Sequence, residues 1–237
     1  MSTLEIILLL LSLIALLLSG IAFLQTRNRK ARNMPLNELP QILNQHYLER
    51  SLSQTDFDGQ SYSDVKSLKH TTLAKHGYGQ SKTWPEVLES FHPTSTESAQ
   101  ENTLAYTLSM GMEHVGMLLT SGAIPLLPTF QLAGVQLAAD WSLCQPVVSQ
   151  KLREEKTLTF ADQPEVELHR VHAEWAGLVA YFMVQRHFAG SFVEQLQLAY
   201  QKQYPDPKQR LQTLNQSLHK LMPKETKAEV LRWVGFF

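Results

Sequence analysis

The strongest hydrophobic pattern along the chain is a run near the N-terminus, over residues 6–24. This run of about 19 residues is dominated by Leu and Ile and holds no charged side chain, which matches the length of a helix that crosses a bilayer. A cleaved signal peptide has a basic segment before its apolar run, whereas this chain has Glu5 and no Lys or Arg there. The pattern predicts a short tail over 1–5 and a transmembrane helix, an uncleaved signal anchor, over 6–24.

A basic cluster follows the apolar run directly. Its members are Arg27, Arg29, Lys30 and Arg32. Because Lys and Arg beside a membrane span mark the cytoplasmic side, we expect a single-pass protein of the cell membrane with its N-terminus outside and its C-terminal domain in the cytoplasm. The same cluster could also bind anionic lipid headgroups, since each cation near such a surface contributes about 1 kcal/mol.

Residues 25–100 form a second region, in which polar residues dominate and Pro and Gly recur. This composition predicts a basic juxtamembrane segment followed by a polar linker with two short helices. One helix is predicted over 40–52. The other begins at Pro85, because Thr83 can cap it and proline suits the first turn.

Over residues 101–237 the apolar positions recur at helical spacing, and alternating strand patterns are absent. The fold class predicted for this region is all-α, a domain like a helical bundle. Its first long helix ends near Gly122 and carries two apolar stripes, so we expect it to be enclosed on more than one side. One stripe runs through Leu104, Leu108, Gly111, Val115 and Leu119, and the other through Tyr106, Met110 and Met117.

Prolines, glycines and capping residues set the bounds of the later helices. Pro146 predicts a kink or break, and Asp162 with Pro164 predicts the start of a helix that Gly190 ends. The predicted helices cover residues 126–132, 135–156, 164–188, 192–200, 207–221 and 224–234.

A histidine and glutamate cluster is the most chemical feature of the chain. On the predicted helix over 164–188, Glu165, His169 and His172 fall within a sector of roughly 60°, so these side chains could converge on a divalent metal. Neither the HExxH spacing nor paired ExxH motifs are present. A solvated polar face is therefore the preferred interpretation, in which the protein has no cofactor, and a metal-dependent enzyme or metal sensor is the alternative.

Two glutamates lie beside predicted apolar stripes, Glu113 and Glu174. A buried carboxylate requires a partner, and Arg153 is the partner that we predict. A polar pocket for a ligand is the alternative interpretation. The last residues, 232–237, are unusually apolar and could either fold back onto the domain or contact a partner.

Composition and missing motifs narrow the classes of function. The net charge is −1 and the basic residues form only one cluster, so we expect no nucleic-acid partner. Cys144 is the only cysteine, which excludes an internal disulfide and is typical of a buried small residue. The chain has no GxSxG elbow and no phosphate-binding glycine loop, which leaves little support for an enzyme.

Several short motifs resemble an uncharacterised bacterial family in which one N-terminal transmembrane helix precedes a compact helical domain of unknown function. The resemblance is carried by residues 113–119 (EHVGMLL), Gly122, Trp141, Arg153 and Glu174-Trp175. It covers the anchor and roughly residues 106–182. Met112 and Ala173 stand where the family pattern has an aromatic residue before each glutamate. The resemblance implies an architecture and no catalytic residue.

Taken together, these patterns predict a membrane-anchored helical protein that binds or scaffolds another protein at the cytoplasmic face of the membrane. A tether raises the local concentration of the domain near its partner, which requires no chemistry. The alternatives are the metal-dependent protein described above and a protein that recognises anionic lipid.

Overall fold

The described part of the chain comprises residues 37–48, 65–91, 99–154, 159–160, 163–167 and 170–237 of a computed structural model. The predicted anchor over 6–24 and the basic cluster of Arg27, Arg29, Lys30 and Arg32 lie outside these residues. Among the helices that are described, none combines the length and the apolar character of a membrane span.

The described residues are almost entirely helical, which confirms the all-α class. The helices are α1 (Leu39–Leu43), continued by a π-helical turn (Asn44–Leu48), α2 (Val65–Lys75), α3 (Trp84–Ser90), α4 (Ala99–Thr120), α5 (Leu126–Glu154), α6 (Val171–His187), α7 (Ser191–Gln203), α8 (Pro207–Leu218) and α9 (Lys224–Val234). Strands β1 (Thr159–Phe160) and β2 (Gln163–Glu167) form a small antiparallel hairpin.

The three long helices α4, α5 and α6 pack against one another at the centre of the domain. Glycines permit the closest approaches. At Gly116 of α4 an added Cβ would lie 2.2 Å from the carbonyl oxygen of His172, and at Gly177 of α6 it would lie 2.4 Å from the Cβ of Trp141. Contact distances between real Cβ atoms and their neighbours are longer than this, so both crossings require glycine.

The predicted core face of α4 is confirmed, because Leu104, Leu108, Val115 and Leu119 are buried. The second predicted stripe is not a core face, because Tyr106 and Met117 remain about two-fifths exposed. Helix α4 is nevertheless enclosed on more than one side, since α2, α5, α6 and the π-helical turn all pack against it.

The short helices before residue 91 belong to the same core as the long ones, although the sequence predicted a linker there. Leu39, Tyr47, Leu68 and Trp84 are each at most 2 % exposed. The indole nitrogen of Trp84 donates a hydrogen bond to the Ser142 hydroxyl of α5 at 2.9 Å. Each short helix contributes only a few apolar side chains, so the polar composition of the segment conceals its share of the core.

Helix α3 begins at Trp84, one residue before the predicted Pro85, and the predicted cap at Thr83 is confirmed. Thr83 is its N-cap residue, and the Thr83 N–H donates to the Glu86 carboxylate at 2.6 Å. This bond is the main reason why the pKa of Glu86 is lowered.

Helix α5 is continuous from Leu126 to Glu154, so the predicted break between 132 and 135 is wrong, and the helix does not break at Pro146. Pro146 removes the N–H that the Ser142 carbonyl would accept within the helix. The side-chain amide of Gln203 donates to that carbonyl instead. A partner from α7 thus compensates for the hydrogen bond that proline removes.

The helix predicted from Pro164 begins only at Val171, and the β1–β2 hairpin precedes it. Pro164 lies near the start of β2, where a proline is tolerated in a strand. Val166 and Glu167 continue an alternation of apolar and polar residues that is typical of a strand. The helical spacing that placed Glu165, His169 and His172 on one face is therefore wrong.

The C-terminal residues fold back onto the domain, which was one of the two alternatives for 232–237. Helix α9 has the predicted bounds and ends at Gly235, which has a φ of 98°. The Phe236 ring then meets Phe182 of α6 edge-on, with ring centroids 4.9 Å apart.

Candidate binding groove

An open groove with a volume of about 720 Å³ lies between α2, the first half of α5 and the junction of α6 and α7. Its size falls in the range of sites that take ligands or the anchoring side chains of a partner. The apolar lining consists mainly of Leu73, Phe130, Leu132, Val135, Phe188 and Phe192.

Several large apolar side chains of the groove are exposed to solvent. Leu132 is 58 % exposed, Phe188 51 %, Tyr78 42 % and Val135 38 %. Single exposed apolar residues are common on protein surfaces, but a group of them around one concavity is typical of a binding surface. A smaller cavity of about 190 Å³ shares Phe130 and Phe188 with the groove and continues the apolar surface towards Trp233.

One wall of the groove is basic. Lys66, Lys69, His70 and Leu73 follow one another at helical spacing, so α2 presents all four on the same face. Lys66 and His70 are exposed, and no acidic side chain lines the groove among the described residues. The groove therefore combines an apolar floor with a positively charged wall.

A buried carboxylate lies behind this wall. Asp140 of α5 is fully buried, and it accepts hydrogen bonds from the Lys69 ammonium and from the Tyr47 hydroxyl. Burial, and secondarily the charge of Asp140, raise the pKa of Tyr47 well above its ordinary value, so the phenol remains a neutral donor. The Lys69 side chain is 20 % exposed and thus joins the buried pair to the groove.

Cys144 lies one turn after Asp140 and is fully buried, as the sequence predicted. Burial and the nearby Asp140 raise the pKa of this thiol well above its ordinary value. A protonated, buried thiol is a poor nucleophile.

Glu174 is partly buried beside an arginine, but the partner is Arg210 of α8 and not the predicted Arg153. The Arg210 guanidinium donates to both carboxylate oxygens of Glu174, at 2.9 and 2.6 Å. The Tyr204 hydroxyl adds a third bond at 3.1 Å. The predicted structural pairing of Glu174 thus exists, with a partner from a helix that sequence spacing did not connect to it; the side chain of Arg153 is outside the described part of the structure.

Glu113 of α4 lies at the N-terminus of α6, where its carboxylate accepts a hydrogen bond from the Ala173 N–H at 2.8 Å. Helix N-termini favour negative charge and leave N–H groups free for such a bond. Burial nevertheless raises the pKa of Glu113 to about 7, although the Ala173 bond and the nearby Arg170 oppose the shift.

We expect the replacement Glu113→Gln to stabilise the protein at pH 8 and to have little effect at pH 5. Because the pKa rises on folding, from 4.5 to about 7, the folded chain binds a proton that the unfolded chain releases between these values. The contribution of Glu113 to the free energy of unfolding is at its maximum below pH 4.5. This contribution is lost as the pH rises through 7, by an amount on the order of 2–3 kcal/mol. Gln retains an oxygen that can accept the Ala173 bond. Thermal unfolding of the full-length protein in detergent at pH 5, 6, 7 and 8 measures the difference.

The matched control for this prediction is Glu194→Gln, because Glu194 is exposed on α7. Because Glu194 lies in the first turn of α7, where a negative charge is favoured, its replacement should be slightly destabilising, by less than about 1 kcal/mol, and not stabilising as at Glu113. If Glu113→Gln changed the melting temperature equally at pH 5 and pH 8, a raised pKa would not be the cause.

The predicted metal ligands are only partly described. The Nδ1 atom of His172 lies 2.8 Å from the Thr120 hydroxyl, and burial lowers the pKa of the imidazole. Glu165 lies in β2 and His169 precedes α6, but neither side chain is in the described part of the chain. Within that part, no group of three or more His, Cys, Asp or Glu residues is arranged to hold a metal ion.

Sequence reasoning did not find the groove. The sequence contains one signal that could have indicated it. Asp140 stands within a run of apolar residues, so it required a partner in the same way as Glu113 and Glu174. The cation that pairs with Asp140 is Lys69, which lies 71 positions away in the chain.

No protein-family model, no curated protein and no solved structure matches this chain. Function must therefore be inferred from the groove itself.

Proposed function

We propose that this protein is a membrane-tethered module that binds another protein at the cytoplasmic face of the membrane and that the groove is its binding surface. The observation that carries the proposal is the ring of exposed apolar side chains, Leu132, Phe188, Tyr78 and Val135, around one concavity. Apolar anchors that fill such a pocket supply most of the free energy of a typical protein interface.

The chemistry of the groove favours binding over catalysis. The carboxylate behind its wall, Asp140, is engaged by Lys69 and Tyr47, and the thiol of Cys144 is buried, which raises its pKa. The groups that remain at the wall are the exposed amine of Lys66 and the ring of His70, beside the paired ammonium of Lys69, and such donors are suited to binding a carboxylate.

The two alternative functions rest mainly on residues outside the described ones. Recognition of anionic lipid by Arg27, Arg29, Lys30 and Arg32 stays a prediction. A metal site at Glu165, His169 and His172 also stays a prediction, without the helical face that first supported it.

Photo-crosslinking in living cells tests the proposed function. A photoreactive phenylalanine analogue at Leu132, in the full-length protein, should give a discrete adduct with a second protein, because this side chain stands at the rim of the groove. Mass spectrometry of the adduct distinguishes a protein from a lipid. Adding Val135→Asp should reduce the yield at least tenfold, since a carboxylate would then be placed in the apolar contact.

Leu221 supplies the matched control position. It is 56 % exposed, close to the value of Leu132, and lies in the turn between α8 and α9, away from the groove. The proposal would be wrong if Leu132 gave no protein adduct, or if Leu221 gave the same adduct in equal yield.

A further inference from the structure

The charges around the groove are one-sided. The Lys66 ammonium is exposed on the α2 wall beside the ring of His70, and the described lining contains no carboxylate that could neutralise this lysine. A partner that carries carboxylates beside this wall would gain attraction, whereas a basic partner would be repelled. The described groove therefore selects for an acidic partner.

Lys69 adds a fixed donor to this wall. Its ammonium is held against Asp140, so the pair is close to neutral, but an ammonium has three N–H donors and its side chain remains partly exposed. Asp140 thus keeps the amine in place at the edge of the groove before any partner arrives. A preorganised donor loses little conformational entropy on binding.

The walls of the groove also favour a particular backbone conformation. Most of the lining comes from α2, α5 and the ends of α6 and α7, and backbone groups inside a helix already bond to one another. An extended segment gains affinity by pairing with an open strand edge, whereas the described lining residues lie in helices and in the turns at their ends. A helix satisfies its own backbone and needs only side-chain contacts, which this groove offers.

From these observations we propose that the occupant of the groove is an amphipathic helix of a partner protein, with apolar residues that fill the groove and carboxylates that pair with Lys66, Lys69 and His70. This inference rests on the proposed function and specifies the chemistry of the partner.

Two designed peptides test it on the full-length protein in detergent micelles. Both are labelled amphipathic helices with Leu at the same positions, one turn apart, and the residues that flank the Leu stripe are Glu in one peptide and Lys in the other. By fluorescence anisotropy, the Glu peptide should bind roughly tenfold more tightly, as expected when a few exposed pairs change from attractive to repulsive. The Val135→Asp variant should lose binding of both peptides.

The double variant Lys66→Glu, His70→Glu should abolish or invert the preference for the Glu peptide. Both positions are exposed, so the fold is retained. The control is Lys224→Glu, Lys227→Glu on α9, which alters the net charge through two lysines away from the groove and should leave the preference unchanged.

The outcomes separate this inference from the proposed function. Equal affinities for the two peptides, no binding of either, or a preference that the Lys66 and His70 changes do not alter would overturn the inference while the Leu132 adduct still supported a protein-binding groove. Absence of a protein adduct at Leu132, or a lipid adduct in its place, would overturn the proposed function and this inference with it.

Discussion

Replacing Lys69 with methionine should lower the free energy of unfolding by about 3–5 kcal/mol, because it leaves the charge of a buried Asp140 without its cation. Methionine preserves the apolar stem that lysine contributes to the groove wall, so the loss reports the charge more than the packing. Tyr47 would still donate to the carboxylate, but a single neutral donor does not compensate for the missing ammonium. Chemical denaturation of the full-length protein in detergent measures the change.

Adding the substitution Asp140→Asn to Lys69→Met tests whether the loss of stability comes from the Lys69–Asp140 ion pair. In Lys69→Met, Asp140→Asn the buried charge is gone, and the Asn oxygen can still accept the Tyr47 bond. We expect this double variant to regain at least about 2 kcal/mol relative to Lys69→Met, which would appear as a coupling energy in a double-mutant cycle. Lys66→Met, on the same face of α2 but exposed, is the control and should change stability by less than about 0.5 kcal/mol. Additive effects of the two substitutions would show that Asp140 does not depend on Lys69.

The parts of the fold that the sequence predicted well are those that local rules determine. The buried face of α4, from Leu104 to Leu119, follows from helical periodicity alone. The bounds of α9 follow from Pro223 before it and Gly235 after it. Such signals act within one or two turns of a helix, so no knowledge of the remaining chain is needed to interpret them.

Where the sequence misled, a residue distant in the chain determined the outcome. A proline inside a helix leaves the carbonyl four residues before it without its backbone donor. Here the side-chain amide of Gln203 in α7 donates to that carbonyl, which belongs to Ser142. Glu174 required a cation, but only the packing of α8 against α6 reveals that Arg210 supplies it. The β1–β2 hairpin is a different case, because Pro164 is compatible with both a helix start and a strand edge and its local signals were ambiguous.

The groove is the feature that was hardest to predict from the sequence. Neither Lys69 nor Leu132 is unusual in its own helix, since a lysine and an exposed leucine are common there. Their significance arises only when α2 and α5 meet and bring the basic wall and the apolar rim together. Sequence reasoning can predict that Asp140 needs a partner, but it cannot predict which surface that partner will border.

The substitution Gly177→Ala is expected to destabilise the protein by about 3 kcal/mol, the upper end of the usual effect of overpacking. Its Cβ would lie 2.4 Å from the Cβ and Cγ atoms of Trp141, a side chain that is only 2 % exposed and has no room to withdraw. Displacing Trp141 would also disturb its 2.7 Å hydrogen bond to Tyr204, which in turn binds Glu174. The local clash therefore extends to the ion pair with Arg210. Denaturation in urea measures the loss.

Gly134→Ala is the matched comparison, since Gly134 is also a buried glycine within a long helix. There the nearest atom to an added Cβ is the Phe130 Cβ of the same helix at 3.4 Å, which is ordinary contact. Alanine should then stabilise α5 by about 0.5–1 kcal/mol through its higher helix propensity. The two substitutions are chemically identical, so opposite signs would show that the close approach of α5 and α6 at Trp141 is what requires glycine. Equal effects at both positions would mean that the backbone freedom of glycine, and not this crossing, determines its presence.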